Sequence, residues 1–121
     1  MIFYHNPQFD IAFGNKDHSF KTDQFKMLLN NKALMSQNQF KNAIKLLNID
    51  ALIVAEQTHG TDGIIIDTYQ KSVNCRPYNQ QADFIITNIP KVGIGIATAD
   101  CLPIIIYDSS RHVIAAIHAG W

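Results

Sequence analysis

No run of lysine or arginine stands out in this 121-residue chain, and its ten basic residues are matched by ten acidic ones. Nucleic acid and anionic membrane surfaces are therefore poor candidate partners. Long apolar runs are lacking as well. A stretch such as Leu102 to Tyr107 falls far short of the roughly 20 residues that a membrane helix needs. The opening Met1-Ile2-Phe3-Tyr4-His5-Asn6-Pro7 has no basic segment leading into a long apolar one. It does not read as a secretory signal, and a cytoplasmic protein is expected. Cysteine is scarce, with Cys75 and Cys101 alone. In a reducing compartment, free thiols or metal ligation are better expectations for them than a disulfide. CxxC, HExxH and glycine-rich phosphate-loop signatures are missing, as are internal repeats and low-complexity tracts.

What is present has a globular balance. Hydrophobic residues make up 47% of the chain and charged residues 17%, which argues against a solvating or disordered segment. A chain of this size buries roughly 65% of the surface its unfolded form exposes, enough for one core. Ile2 to Phe13 alternates weakly and predicts one or two short strands. From Thr22 or Asp23, the residues Phe25, Leu28, Leu29 and Ala33 recur with a helical period. Ser36 and Gln39 fit a capping box, and Phe40, Ala43, Ile44 and Leu47 continue a second helix. After Asp50 the pattern turns to strands: Ala51–Ala55, Ile64–Ile66, Asp83–Thr87, Gly93–Thr98, Ile104–Tyr107 and Val113–Ile117. Thr68 to Gln81 reads as the longest loop. The fold class expected is α+β, a mixed sheet flanked by helices.

Three potential metal donors sit at the ends of apolar stretches: His59, Cys101 and His118. One thiolate and two imidazoles suit zinc, and three protein ligands leave a fourth tetrahedral position open, as catalytic zinc sites do. Intervals of this kind are tertiary, and each residue also has a plainer reading, as a surface histidine or an inert packed cysteine. The connection Asp108-Ser109-Ser110-Arg111 suggests an antiparallel hairpin. If Tyr107 pairs with His112, Cys101 falls directly opposite His118 and on the same face. Pro103 is expected to bend that strand. Asp100 could orient an imidazole or carry a proton, or simply form a turn. Gln57 and Asp62 flank His59 as substrate contacts or as solvated loop residues. His5, His18 and His112 read as surface residues, and Cys75 as incidental to the site.

Four blocks, Gln57-Thr58-His59-Gly60, Ala82-Asp83 before Ile85-Ile86-Thr87, Thr98-Ala99-Asp100-Cys101-Leu102-Pro103 and His118-Ala119-Gly120-Trp121, closely resemble the laccase-domain family. Its members are also described as polyphenol oxidase-like or purine nucleoside phosphorylase proteins. The resemblance covers roughly Leu52 to Trp121 and places the family's metal-binding His, Cys and His on His59, Cys101 and His118. It implies a cytosolic, zinc-dependent enzyme. Such an enzyme phosphorolyses adenosine, inosine or methylthioadenosine to base and ribose 1-phosphate, and also deaminates adenosine. Purine nucleoside and phosphate are the implied partners; Cys101 and His118 are then expected as catalytic residues, and Asp100, read from its place beside Cys101, is added as the proton carrier.

The departures from the family also carry weight. An Arg normally follows Gly-Trp and the family's chain continues, so residues 1–121 resemble the N-terminal part of one laccase-like domain, an incomplete single domain. Self-association or a separately encoded C-terminal half is then expected. The glycine-rich N-terminal pattern of the family is only weakly echoed by Gly14-Asn15. Other classes remain open: a non-catalytic remnant or zinc-binding interaction subunit, a copper-dependent polyphenol oxidase, and a Cys/His hydrolase with Cys101 as nucleophile. Copper is less favoured, because ligands for several coppers are not evident.

Overall fold

A computed structural model describes residues 2–13, 44–68 and 80–121. The chain forms two compact units, Met1–Leu47 and Asn48–Trp121. In the first, strands β1 (Ile2–Asn6) and β2 (Phe9–Phe13) pair antiparallel, with Asn6 opposite Phe9. Pro7 and Gln8 make the two-residue turn, and Asn6 Oδ1 accepts the Gln8 N–H at 3.0 Å. Asparagine bonding its own backbone two residues on is a local turn device. His5 is exposed on this hairpin, with Nδ1 2.6 Å from Asp10 Oδ1.

The helical pattern of Thr22–Ala33, most of Ser36–Leu47, and the residues His18 and Cys75 lie outside the described residues. Residues 44–47 are helical. The described residues are otherwise mostly strand, so the expected mixed sheet is present and flanking helices are not seen among them.

The second unit contains β3 (Ala51–Val54), β4 (Gly63–Ile66), β5 (Phe84–Thr87), β6 (Val92–Gly95), β7 (Leu102–Asp108) and β8 (Val113–Ala119). Parallel β3 and β6 form one pair, and a four-stranded sheet runs β4-β5-β8-β7. In that sheet β4 and β5 are parallel, while β5–β8 and β8–β7 are antiparallel. The sequence pattern explains the two-layer arrangement. Side chains alternate across a strand, so one face of the sheet carries the buried Ile66, Ile85, Thr87, Ala116 and His118. Ile53 and Val92, from the β3–β6 pair, share the buried cluster with Ile66, Ala82 and Ile85. Burying such apolar area stabilises by about 25 cal/mol per Å². Buried Thr87 is satisfied, its hydroxyl donating to Ile66 O at 2.8 Å and accepting from Ile89 N at 3.1 Å.

The other face is apolar and open. Ile65 is 60% exposed, Ile106 52% and Leu102 62%. Phe84, Ile86, Ile106, Val113 and Ile117 line a shallow hollow of about 360 Å³ on it.

The β7–β8 hairpin corrects the register read from the sequence. Asp108, not Tyr107, closes the turn by pairing with Val113, and Pro103 is the residue opposite His118. Asp108 Oδ1 explains the change: it accepts Ser110 N at 2.9 Å, Ser110 Oγ at 2.7 Å and Arg111 N at 3.2 Å. These bonds hold Asp108 at the strand end and move the turn to residues 109–112, where His112 takes a φ of 52°. The shift is by two residues. Because the side-chain period is also two, Cys101 and His118 keep a common face and become diagonal rather than directly opposed. Pro103 lies within β7, at the edge of the sheet, where its missing N–H is tolerated.

Candidate metal centre

The site lies where three strand ends meet. Beyond β3, Glu56 bridges Gln81 in parallel fashion, and the chain then turns through residues 57–62. His59 sits in this turn with a φ of 59°, a left-handed conformation uncommon for a residue with a Cβ. Cys101 immediately precedes β7, and His118 is on β8. Their ligand atoms converge, no two lying more than 4.8 Å apart. His118 is buried, Cys101 half-buried and His59 exposed. The two imidazoles meet edge to face, with centroids 4.8 Å apart and planes at 78°.

Asp83 holds this arrangement. The β5–β8 register pairs Phe84 with Ile117, so one step further Asp83 lies opposite His118. His118 N–H donates to Asp83 O at 2.8 Å, and His118 Nδ1 lies 2.8 Å from Asp83 Oδ1. The same carboxylate receives the backbone N–H of His59 at 2.9 Å and of Gly60 at 2.7 Å. Thr58 adds its N–H at 3.3 Å and its hydroxyl at 3.0 Å. Asp83 is only 2% exposed. Burial by itself would raise its carboxyl, but the bonds from His118, Gly60 and Thr58 prevail and hold it well below the usual carboxylate range.

The remaining sequence candidates are placed as follows. Asp100 is exposed, and the Cys101 thiol points to its Oδ1 at 3.8 Å. Gln57 is turned to the backbone. Its Nε2 donates to Ala97 O at 2.7 Å, and its Oε1 accepts Ala97 N–H at 2.7 Å, which ties the His59 loop to the segment leading to Cys101. Asp62 is exposed, and its carbonyl accepts the Asp83 N–H at 2.8 Å. Asp83 was legible in the sequence only as part of the Ala82-Asp83 block. A carboxylate one residue before an apolar strand gives no hint of its partners until the sheet is assembled.

The donor set fits a metal ion chemically. An ionised carboxylate is acceptor-only, so His118 must present its Nδ1–H to Asp83, which leaves Nε2 free as a ligand atom. Bond lengths of about 2.0–2.3 Å place tetrahedral zinc ligands roughly 3.3–3.7 Å apart. The donors are therefore near a closed site, and the exposed His59 and half-buried Cys101 have the most freedom to adjust.

Fold and site together define a strand-built protein with a His/Cys/His group able to hold a metal. Residues 18–121 match the multi-copper polyphenol oxidoreductase laccase family, and the chain belongs to it. It is 36% identical over 75 residues to a purine nucleoside phosphorylase of Bacteroides thetaiotaomicron, covering 60% of this chain and 28% of that one. Adenosine deaminase RL5, from an unknown prokaryotic organism, is 31% identical over 78 residues, covering 62% and 30%. The crystal structure of Bacillus licheniformis YfiH is similar with a TM-score of 0.58 at 27% identity, covering 69% of this chain and 33% of that one. The chain thus spans a third or less of these relatives' length. Among the described residues, no helix is long and apolar enough to cross a membrane.

Proposed function

We propose that this chain carries the metal-binding part of a zinc-dependent, cytoplasmic purine nucleoside phosphorylase that also deaminates adenosine. The carrying observation is the convergence of His59, Cys101 and His118 within 4.8 Å. The names of the relatives supply the substrate class: purine nucleoside and phosphate. In this reading His59, His118 through Nε2, and Cys101 as its thiolate hold the ion. Zinc supplies Lewis acidity and water activated near neutral pH. Asp83 fixes His118, Gln57 keeps the two ligand-bearing loops in register, and exposed Asp100 takes up or returns a proton at the reacting atom. Asp62, exposed beside the His59 turn, contacts substrate. Contacts to phosphate and to most of the nucleoside come from the part of the domain that the relatives have in addition, supplied by further chain or by a second polypeptide.

The test is direct. Zinc should bind with one-to-one stoichiometry and be lost on His59→Ala or His118→Ala. Metal-loaded protein is incubated with inosine plus phosphate, and separately with adenosine, and the products are separated by chromatography. Absence of free base and of inosine favours the alternative, a non-catalytic zinc-binding remnant or interaction subunit. Folded protein that takes up no zinc sinks the mechanism.

One observation favours a second reading. The His118–Asp83 bond would also orient a general base for a Cys101 nucleophile. A thiol hydrolase of that kind needs Cys101 and His118 but not His59, so a hydrolytic activity surviving His59→Ala would select it.

A further inference from the structure

We infer that Asp83 is the positioning residue of the centre, a single buried carboxylate that sets both imidazoles at once. One of its oxygens commits His118 to the Nδ1–H tautomer, and the two oxygens together clamp the backbone on which His59 is carried. The inference rests on the metal-site reading above, but not on the identity of the substrate.

The five bonds divide unevenly between the two oxygens. Oδ1 receives His118 Nδ1 at 2.8 Å and His59 N–H at 2.9 Å. Oδ2 receives Gly60 N–H at 2.7 Å, Thr58 N–H at 3.3 Å and the Thr58 hydroxyl at 3.0 Å. Four of the five come from N–H groups facing an acceptor-only partner. No neutral side chain of this shape can reproduce that. An asparagine has one carbonyl oxygen, so it can serve the Oδ1 set or the Oδ2 set, and its NH₂ would then face donors at the other. Serving Oδ1 keeps the His118 tautomer and the His59 N–H bond but sets the NH₂ against the Thr58 and Gly60 donors and loosens the turn; serving Oδ2 keeps the Thr58 and Gly60 bonds, loses that of His59 N–H and frees His118 to flip or change tautomer. Either way one imidazole loses its aim.

The position of Asp83 is itself secured. Its N–H is bonded to Asp62 O and its carbonyl receives His118 N–H, so the backbone carrying the carboxylate is fixed by β8 on one side and by the loop after His59 on the other. The clamp also explains why His59 can hold a φ of 59°. Successive N–H groups of Thr58, His59 and Gly60 all turn inward onto one anion, and that is the concave backbone form that binds anions. Gly120, just beyond the end of β8, completes the packing, since a Cβ there would stand 3.1 Å from His59 Cδ2.

Two measurements on the full chain test the role. In metal-free wild-type protein, long-range ¹H–¹⁵N correlation of the imidazoles should show His118 protonated at Nδ1 and bare at Nε2. An Nε2–H tautomer overturns the inference. In Asp83→Asn, zinc affinity measured by competition with a chelator should fall by about 10- to 100-fold, with the metal-free fold retained by circular dichroism. A folded Asp83→Asn protein that binds zinc as tightly as wild type also overturns it. Should that variant not fold, the tautomer of the wild-type protein decides. Neither readout involves nucleoside. Failure to release base from inosine would therefore strike the proposed reaction and leave the positioning role standing.

Discussion

Gln57 offers the sharpest separation between a substrate contact and a structural tie. Both polar atoms of its amide are bonded to the backbone of Ala97, each at 2.7 Å, so Gln57→Ala removes two neutral hydrogen bonds and leaves an N–H and a C=O behind. A neutral bond contributes about 0.5–1.5 kcal/mol net, and a stranded buried group costs about 1–3 kcal/mol. Ala97 is half-buried, so water reaches it in part. The loss should be about 1–3 kcal/mol for the pair, which moves the melting temperature by roughly 4–8 °C per kcal/mol in a unit of this size. Gln57→Glu keeps the acceptor for Ala97 N–H and sets a carboxylate oxygen against Ala97 O, so it should destabilise at least as much. Urea unfolding of metal-free protein measures both. Because the tie joins the segments carrying His59 and Cys101, zinc affinity should fall together with stability. A Gln57→Ala protein whose urea midpoint equals that of the wild type would refute the reasoning and return Gln57 to the role of a substrate contact.

Further outcomes are expected. Folding favours the ionised form of Asp83, so its contribution to stability is fully present above the unfolded carboxyl value of about 3.9 and is lost as pH falls through the lowered folded value; acid unfolding should steepen below about pH 4 and be flatter in Asp83→Asn. Gly63→Ala puts a methyl group into the Phe84 ring, an overpacking that should cost about 1–3 kcal/mol in thermal or urea melts. Ile85→Ala, at a fully buried central-strand position, should cost about 2–5 kcal/mol by the same melts. Ile106→Lys, on the open face, should change stability by less than about 0.5 kcal/mol and reduce any self-association seen by analytical ultracentrifugation. An Ile106→Lys variant that melts several degrees lower would show that this face is packed in solution.

The strands were legible because their apolar runs are short, β-branched and bounded by Gly, Asn and Asp. The period change after Asp50 marks β3, and the four-residue polar link after Asp108 marks the β7–β8 hairpin. The turn was misjudged by one residue at each end because Asp108 can serve as loop or as strand. Only its bonds to Ser110 and Arg111 decide which. Cys101 and His118 nevertheless stayed on one face, since a slip of two residues preserves side-chain parity. The ligand types were likewise visible by chemistry alone, and four sequence blocks pointed to the family before any coordinates did.

By itself, then, the sequence determined the strand content, the presence of His59, Cys101 and His118 as side chains able to hold a metal, and the kind of protein to which they belong. These follow from local pattern and side-chain chemistry, which each residue carries with it. Tertiary structure alone decided that the three donors meet, that Gln57 is turned to Ala97, and that Asp83 rather than the ligand-adjacent Asp100 faces His118. The Gln57–Ala97 and Asp83–His118 pairings span 40 and 35 residues of the chain, and the second depends on the register of β5 against β8, which no local pattern encodes.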